Sequence, residues 1–476
     1  MKIYFLGQTK TEYSLNISGE KTINMFPEKV SSQNNSNQDN TKIVLYGTPG
    51  FELYKLISAG YPIRGLHVVN DKLYVVCYDG FYRIDADDTL TKDGTINTTA
   101  GRVSMSNNGT EILVVDGFNG YIYTISTNTI AVISDADFPD GATLADFLDG
   151  YFIVLKPDTG RFYISASYDG TSWAATDFAT AEAEPDYLVS FIVNNRDLWL
   201  LGENTTEIWY NSGLADFPFS RINGGFMEWG CDAKYSIAKT GGSIFFLAKN
   251  RQGNGVVVRS AGYQPQIIST PAIEQQIKSY SKTKDAFGFT YMEGSHLFYV
   301  LTFPDNATFA YDVFTNMWHE RQSYKLNMWR VNCYAFWNGK HYIGDYSNGK
   351  IYEMKLNYYT EDGTTIIRKR RGPIFKDEDN RKNIIVHDLN IDMETGVGIA
   401  SGQGSNPQAM LKWSNDSGHT WSSERLASIG KIGEYNKRLI FRRLGQGRGR
   451  IFELTISDPV KIALIDAYAS AELLNN

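Results

Sequence analysis

The sequence predicts an all-β protein: a β-propeller of about seven blades, with six as the alternative count, followed by a C-terminal β-sandwich. Three observations carry this. The 476 residues include 30 Tyr, 26 Phe, 9 Trp and 43 Gly, the pairing of aromatics and glycine expected of a hairpin-rich chain. No long stretch shows a clean 3.6-residue apolar period. One short unit recurs every 40–53 residues, the period of a propeller blade.

The unit is clearest at Leu66–Ile84. Leu66–Val69, Leu73–Cys77 and Phe81–Ile84 read as three strands, separated by Asn70-Asp71 and Asp79-Gly80. Such pairs supply the positive-φ residues of two-residue hairpin turns. Aligned on the second turn, the copies fall at Gly80, Gly120, Gly160, Thr206, Gly255, Thr308 and Gly349, with spacings of 40, 40, 46, 49, 53 and 41. One four-stranded sheet cannot cover its own apolar faces, whereas sheets packed face to face in a ring cover each other. The stretched middle spacings predict loop insertions in blades four to six. The fourth and sixth copies lack the glycine, which keeps the six-blade alternative open.

Residues 1–60 are assigned to N-terminal strands and a polar loop, with the loop at Ser31–Thr41. Ile43–Tyr46, or the strand near Phe51–Tyr54, is expected to close the propeller by completing its last blade. Residues 61–355 make the propeller. After Met354 the pattern changes, and 356–476 is predicted to be the sandwich, with strands at Ile384–Met393, Gln408–Ser414, Tyr435–Leu444, Arg450–Ser457 and Val460–Ala469.

Net charge is −7, which argues against a chain that wraps nucleic acid through bulk basicity. The excess is local: residues 356–476 carry 17 basic and 15 acidic side chains, leaving 29 and 38 for the rest. Three cysteines, Cys77, Cys231 and Cys333, are too few for a disulfide framework and are expected to be reduced. The N-terminus lacks the apolar core of a signal peptide, so synthesis in the cytosol without entry to the Sec route is expected. No run approaches the length of an apolar membrane helix.

Motifs for chemistry are sparse. Ser414-Asn415-Asp416-Ser417-Gly418-His419-Thr420-Trp421 matches the Asp-box turn, in which Asp416 caps a hairpin, Gly418 takes an unusual φ and Trp421 packs beneath. Ser167–Trp173 is a shortened relative. The motif is structural wherever it occurs. The basic residues Arg368, Lys369, Arg370 and Arg371, with Arg442, Arg443, Arg448 and Arg450, are candidates for phosphate or interface contacts. The glycines around Arg448 open no helix, so they make no phosphate-cradling loop. The six histidines have no paired spacing, so no metal site is expected. No Gly-x-Ser-x-Gly elbow occurs, and no cofactor is expected. Trp199, Trp209, Trp229, Trp318, Trp329 and Trp337 are expected in the cores between blades; the competing use is a sugar groove.

The order of several short motifs resembles a phage family. They are Asn24-Met25-Phe26-Pro27-Glu28, Leu45-Tyr46-Gly47-Thr48-Pro49-Gly50, the propeller repeats, Trp413–Trp421, Arg442-Arg443-Leu444-Gly445 and Ile456-Ser457-Asp458-Pro459-Val460-Lys461. Together they resemble the tail nozzle proteins of short-tailed phages (podoviruses), also called tail hub or packaged DNA stabilization proteins. The resemblance implies a non-enzymatic virion protein in a hexameric ring below the portal and adaptor rings. It implies double-stranded DNA passing through without sequence-specific binding, a tail needle or plug, and tailspike or fibre proteins as partners. Direct contact with a host receptor stays open. The alternative is a carbohydrate-binding or glycan-hydrolysing propeller.

Overall fold

Leu73–Cys77 is apolar at every position because both faces of its sheet are covered. Leu73, Val75 and Cys77 pack with Ala335, Trp337 and Tyr342, while Tyr74 and Val76 pack with Ile112, Val114 and Tyr123. Side chains alternate along a strand, so a continuous apolar run feeds two cores at once. The same alternation recurs around a ring. Ile112 and Val114 face one neighbour and Leu113 and Val115 the other; Phe245 and Leu247 oppose Ile244 and Phe246 likewise. In this computed structural model, residues 2–31, 41–182, 184–377 and 382–474 are described.

Seven blades result. Four are meanders of four strands: 63–95, 104–132, 145–180 and 188–227. The fifth spans 230–267, and its first strand is split into Gly230–Cys231 and Ala238–Thr240, both paired with Ser243–Asn250. The sixth spans 287–321. The seventh takes three strands from 331–355 and its fourth from Gly50–Leu56, which pairs antiparallel with Lys350–Lys355. Of the two closure candidates, the ring uses the one around Phe51. Ile43–Tyr46 lies in the strand Thr41–Gly47, which instead pairs with Met25–Ser31 and Ala463–Leu473. The N-terminal stretch is thus divided between the two modules.

The turn residues differ from expectation in an informative way. Asn70 and Asp71 have the positive φ of a tight hairpin, 50° and 57°. At the second turn the left-handed residue is Tyr78, φ 54°, and Gly80 already opens the next strand. Gly80 and Gly120 are needed for space instead: an added Cβ would lie 2.3 Å from the Tyr82 ring and from the Phe138 ring respectively. In blade five the hairpin turns before Gly253, so Asn254-Gly255 falls inside a bulged strand. The widest spacing holds a helix, Pro271–Ser279, between blades five and six, capped by Thr270. The loop expected at Ser31–Thr41 has 32–40 outside the described residues.

The sandwich has two sheets. One orders Met25–Ser31, Thr41–Gly47, Ala463–Leu473, Ile384–Met393 and Leu439–Gly447. The other is continuous with blade six. The outer strand of that blade, Met317–Arg321, pairs in parallel with Gly19–Ile23. Gly19–Ile23 pairs with Arg368–Arg371, and the sheet runs on through Gly449–Ile456, Gln408–Ser414 and Arg425–Ser428. A blade edge that would otherwise expose unpaired backbone is thereby consumed. Between the sheets lies a core of Phe5, Met25, Leu45, Leu389, Phe441 and Phe452, which the N-terminal strands help to build.

Asn24 fixes the junction. It sits at φ 55°, and its amide nitrogen donates to the carbonyls of Gln322 and Ile367, both at 2.8 Å, while its side-chain oxygen accepts from the Gln322 N–H. One side chain thus ties the N-terminal segment to blade six and to the chain leaving the propeller. Asparagine tolerates the left-handed conformation and carries both a donor and an acceptor.

Candidate functional site

The first strand of each blade lines the propeller axis, and two side chains cross it. Arg102 enters from the loop before blade two. Its guanidinium lies 3.7 Å from the ring centroid of Phe287 in blade six and 5.8 Å from that of Tyr235 in blade five. It donates to the backbone carbonyl of Asn332 in blade seven and, at 3.1 Å, to that residue's side-chain oxygen. Tyr235 crosses as well, its hydroxyl 3.5 Å from the Thr143 carbonyl beside blade three. Nearby, buried Arg64 donates to the carbonyls of Tyr78, Thr98, Ala100 and Gly101. The axis is therefore stapled rather than open. Nothing in the sequence marks Arg102, a solitary base after Gly101.

At one mouth of the ring a cavity of about 490 Å³ is lined by Asp158, Glu203 and Asp232 together with Lys234, Lys249 and Lys284. Acids and lysines balance there. The Asp232 carboxylate accepts from the Thr283 hydroxyl at 2.6 Å. Trp199, Trp318, Trp329 and Trp337 are buried, and Trp209 and Trp229 pack against the cores between blades. Trp229 is half-buried and also lines a cavity of about 220 Å³ with Glu228, Asn250 and Arg251.

The basic candidates split into two groups. Arg368, Arg370 and Arg450 are buried, so, contrary to expectation, they are not part of the outer surface of the chain. The reason is strand alternation: in Arg368–Arg371 the first and third side chains point inward. Arg370 donates to the carbonyls of Phe5 and Gln8, to the Thr22 hydroxyl and to Glu20. Arg450 reaches the carbonyls of Leu444 and Gly445 and the side chain of Asn415. Lys369 and Arg371 turn to buried Glu453, at 3.7 and 2.7 Å, with Lys412 at 3.0 Å. Arg442, Arg443 and Arg448 are exposed and stay available.

The Asp-box turn folds as its residues predict. Asp416 accepts from the Thr420 N–H at 2.8 Å and the Thr420 hydroxyl at 2.6 Å. The Ser414 hydroxyl donates to Asp416 and accepts from the Gly418 N–H. Those hydrogen bonds from Ser414 and Thr420 hold the Asp416 carboxyl far below its usual range. Gly418 has φ 99°, and the Trp421 indole N–H donates to its carbonyl at 3.1 Å. The shortened relative in blade three repeats the last contact, Trp173 to Gly170 at 2.8 Å. In both places the motif locks a turn. Arg371 and Lys412 lie 4.7 and 5.1 Å from the Trp421 ring centroid, which joins the turn to the Glu453 cluster.

The cysteines are free thiols. Burial pushes Cys77 up to about 11 and Cys231 and Cys333 up to about 12. Among the described residues, no group of three or more His, Cys, Asp or Glu is placed to hold a metal ion.

The fold defines the class: a seven-bladed propeller fused through one sheet to a β-sandwich. The chain belongs to the bacteriophage P22 Gp10 family. Residues 10–359 match its β-propeller and residues 369–472 its β-sandwich. It is accordingly a phage tail structural protein and a component of the virion. No curated protein matches the chain. Among solved structures it is similar to a catalytically inactive virginiamycin B lyase from Staphylococcus aureus, with 12% identity, 64% of this chain and 99% of that one covered, and a TM-score of 0.45. It is also similar to PorZ of the Porphyromonas gingivalis type-IX secretion system (12% identity, 65% and 38% covered, TM-score 0.39). A third is the computationally designed Ika8 protein (10% identity, 64% and 99% covered, TM-score 0.40).

Proposed function

We propose that copies of this chain close into a hexameric ring below the portal and adaptor of a short phage tail. The ring extends the DNA channel, retains the packaged genome and guides its ejection, and it carries the needle or plug and the tailspikes or fibres. The observation that carries this reading is the match of both domains, in order, to the P22 Gp10 family.

Four physical features support it. Arg102 and Tyr235 staple the propeller axis, so a duplex would pass through a hole enclosed by several copies. The shared sheet at Ile23 and Glu320 makes propeller and sandwich one stiff building block, suited to a head-to-tail ring in which one face meets a different face of the next copy. The acidic excess lies outside 356–476, and an acidic channel wall repels phosphates and lets DNA slide. Exposed Arg442, Arg443 and Arg448 are suited to contacting an acidic face of a neighbour.

The test is a phage carrying a deletion of this gene. Heads that fill with DNA but fail to hold it, with retention restored by adding the purified chain, are the expected result. Particles that lack the chain yet keep their DNA and infect normally would overturn the proposal.

A further inference from the structure

Where propeller and sandwich meet there is a cavity of about 370 Å³ that the tail role does not use. Strands of both modules line it: Phe26, Tyr46 and Thr48 from the N-terminal segment, Glu293 and His296 from blade six, and Arg368 and Ile462 from the sandwich. Arg368 is 1% exposed, and its Nε and Nη1 have no hydrogen-bond partner. The Thr48 hydroxyl, 2% exposed, is likewise unpartnered. Glu293 on the same wall has an Oε2 without a hydrogen-bond partner as well. Buried polar groups are nearly always satisfied, so three such residues on one cavity wall call for an explanation.

The guanidinium keeps its charge. Burial lowers it only to about 10, against the nearby tyrosine and glutamate that favour the charged form. Gly47 makes room for it: a Cβ there would stand 3.0 Å from the Arg368 Nε. Arg370, two residues on, has four partners, so the lack at Arg368 is not general to this strand.

We propose that this cavity binds a carboxylate carried on an apolar body, with Arg368 and the Thr48 hydroxyl on the carboxylate. Guanidinium and carboxylate match in shape and charge. Phe26, Tyr46, Leu356 and Ile462 supply the apolar wall. The cations on this cavity, Arg368 and Lys461, are matched in number by Glu28 and Glu293, which disfavours a doubly charged anion such as phosphate relative to a singly charged one. The carboxylate comes either from a free acid or from the C-terminal residue of a polypeptide. The site does not depend on the ring reading.

The experiment is calorimetric titration of the full chain with 3-phenylpropionate, its neutral amide and inorganic phosphate. A pentapeptide ending in phenylalanine is added, as free acid and as C-terminal amide. One site is expected that binds either carboxylate at least about tenfold more tightly than the matching amide and than phosphate. The tighter of the two carboxylates identifies the source. Arg368→Met should abolish binding. Should that variant fail to fold, Thr48→Val removes only an unpartnered hydroxyl, and it should fold normally and bind several-fold more weakly. Equal binding of acid and amide, no binding of either carboxylate, or full affinity in Thr48→Val would overturn the proposal.

Discussion

Arg370 and Arg442 both lie on sandwich strands, and both belong to runs of adjacent basic residues. One is wholly buried at the junction with the propeller; the other is exposed at the far edge. At the junction the guanidinium groups replace water for carbonyls that the meeting of two modules leaves facing inward. At the far edge the same chemistry faces solvent. A basic run in a sequence is therefore not evidence of a basic surface. What decides is which face of the strand each residue takes, and what lies opposite.

The largest expected effect comes from breaking the junction. Arg370→Ala leaves Glu20 and two buried carbonyls without their donor, and it should cost about 3–5 kcal/mol in a denaturant titration. Loss of the propeller and sandwich signals in a single transition would show that the shared sheet couples them.

Glu453→Gln comes next, at about 1–3 kcal/mol, because the buried carboxylate holds Arg371, Lys369 and Lys412. Burial raises the Glu453 carboxyl, but those cations outweigh it and leave the group below its usual value. Its contribution is therefore complete above the unfolded carboxylate range, about 4.3, and is lost as pH falls through the lower folded value. Melting curves of the wild-type and variant chains should differ at pH 7 and converge in acid.

Asp416→Ala acts locally. It releases the Thr420 N–H and hydroxyl, so limited proteolysis should begin near 415–421 while the melting temperature falls less than in Glu453→Gln. The smallest effect on stability belongs to Arg442→Glu combined with Arg448→Glu. Each change should stay within about 0.5 kcal/mol, while ring assembly measured by light scattering should weaken.

The propeller was legible because its signal is local and repeated: apolar runs bounded by turns, seven times. The ends of the strands Ile384–Met393 and Gln408–Ser414 can be read directly from the chain, for the same reason. The destination of the N-terminal strands was not legible. Thr41–Gly47 and Gly50–Leu56 are both apolar strands near Pro49, and only long-range packing sends one to the sandwich and the other to the seventh blade. The helix left a readable trace in Thr270-Pro271 followed by Glu274, a capping pattern too short to show as apolar periodicity. Arg102 left none, since its partners Tyr235, Phe287 and Asn332 lie more than a hundred residues away; Arg368 stood out only as part of a basic run, which does not show that it is buried. The Asp-box turn was fully legible because every group it uses lies within eight residues.

On the proposed reading this chain forms the wall of the tail conduit, and the genome passes through the hole that its copies enclose. A cryo-EM reconstruction of the virion tail is the direct test. A closed ring of propeller–sandwich units is expected, with DNA density in the hole they enclose and none along any propeller axis. A tail without these units, or DNA threading a single propeller past Arg102, would contradict it.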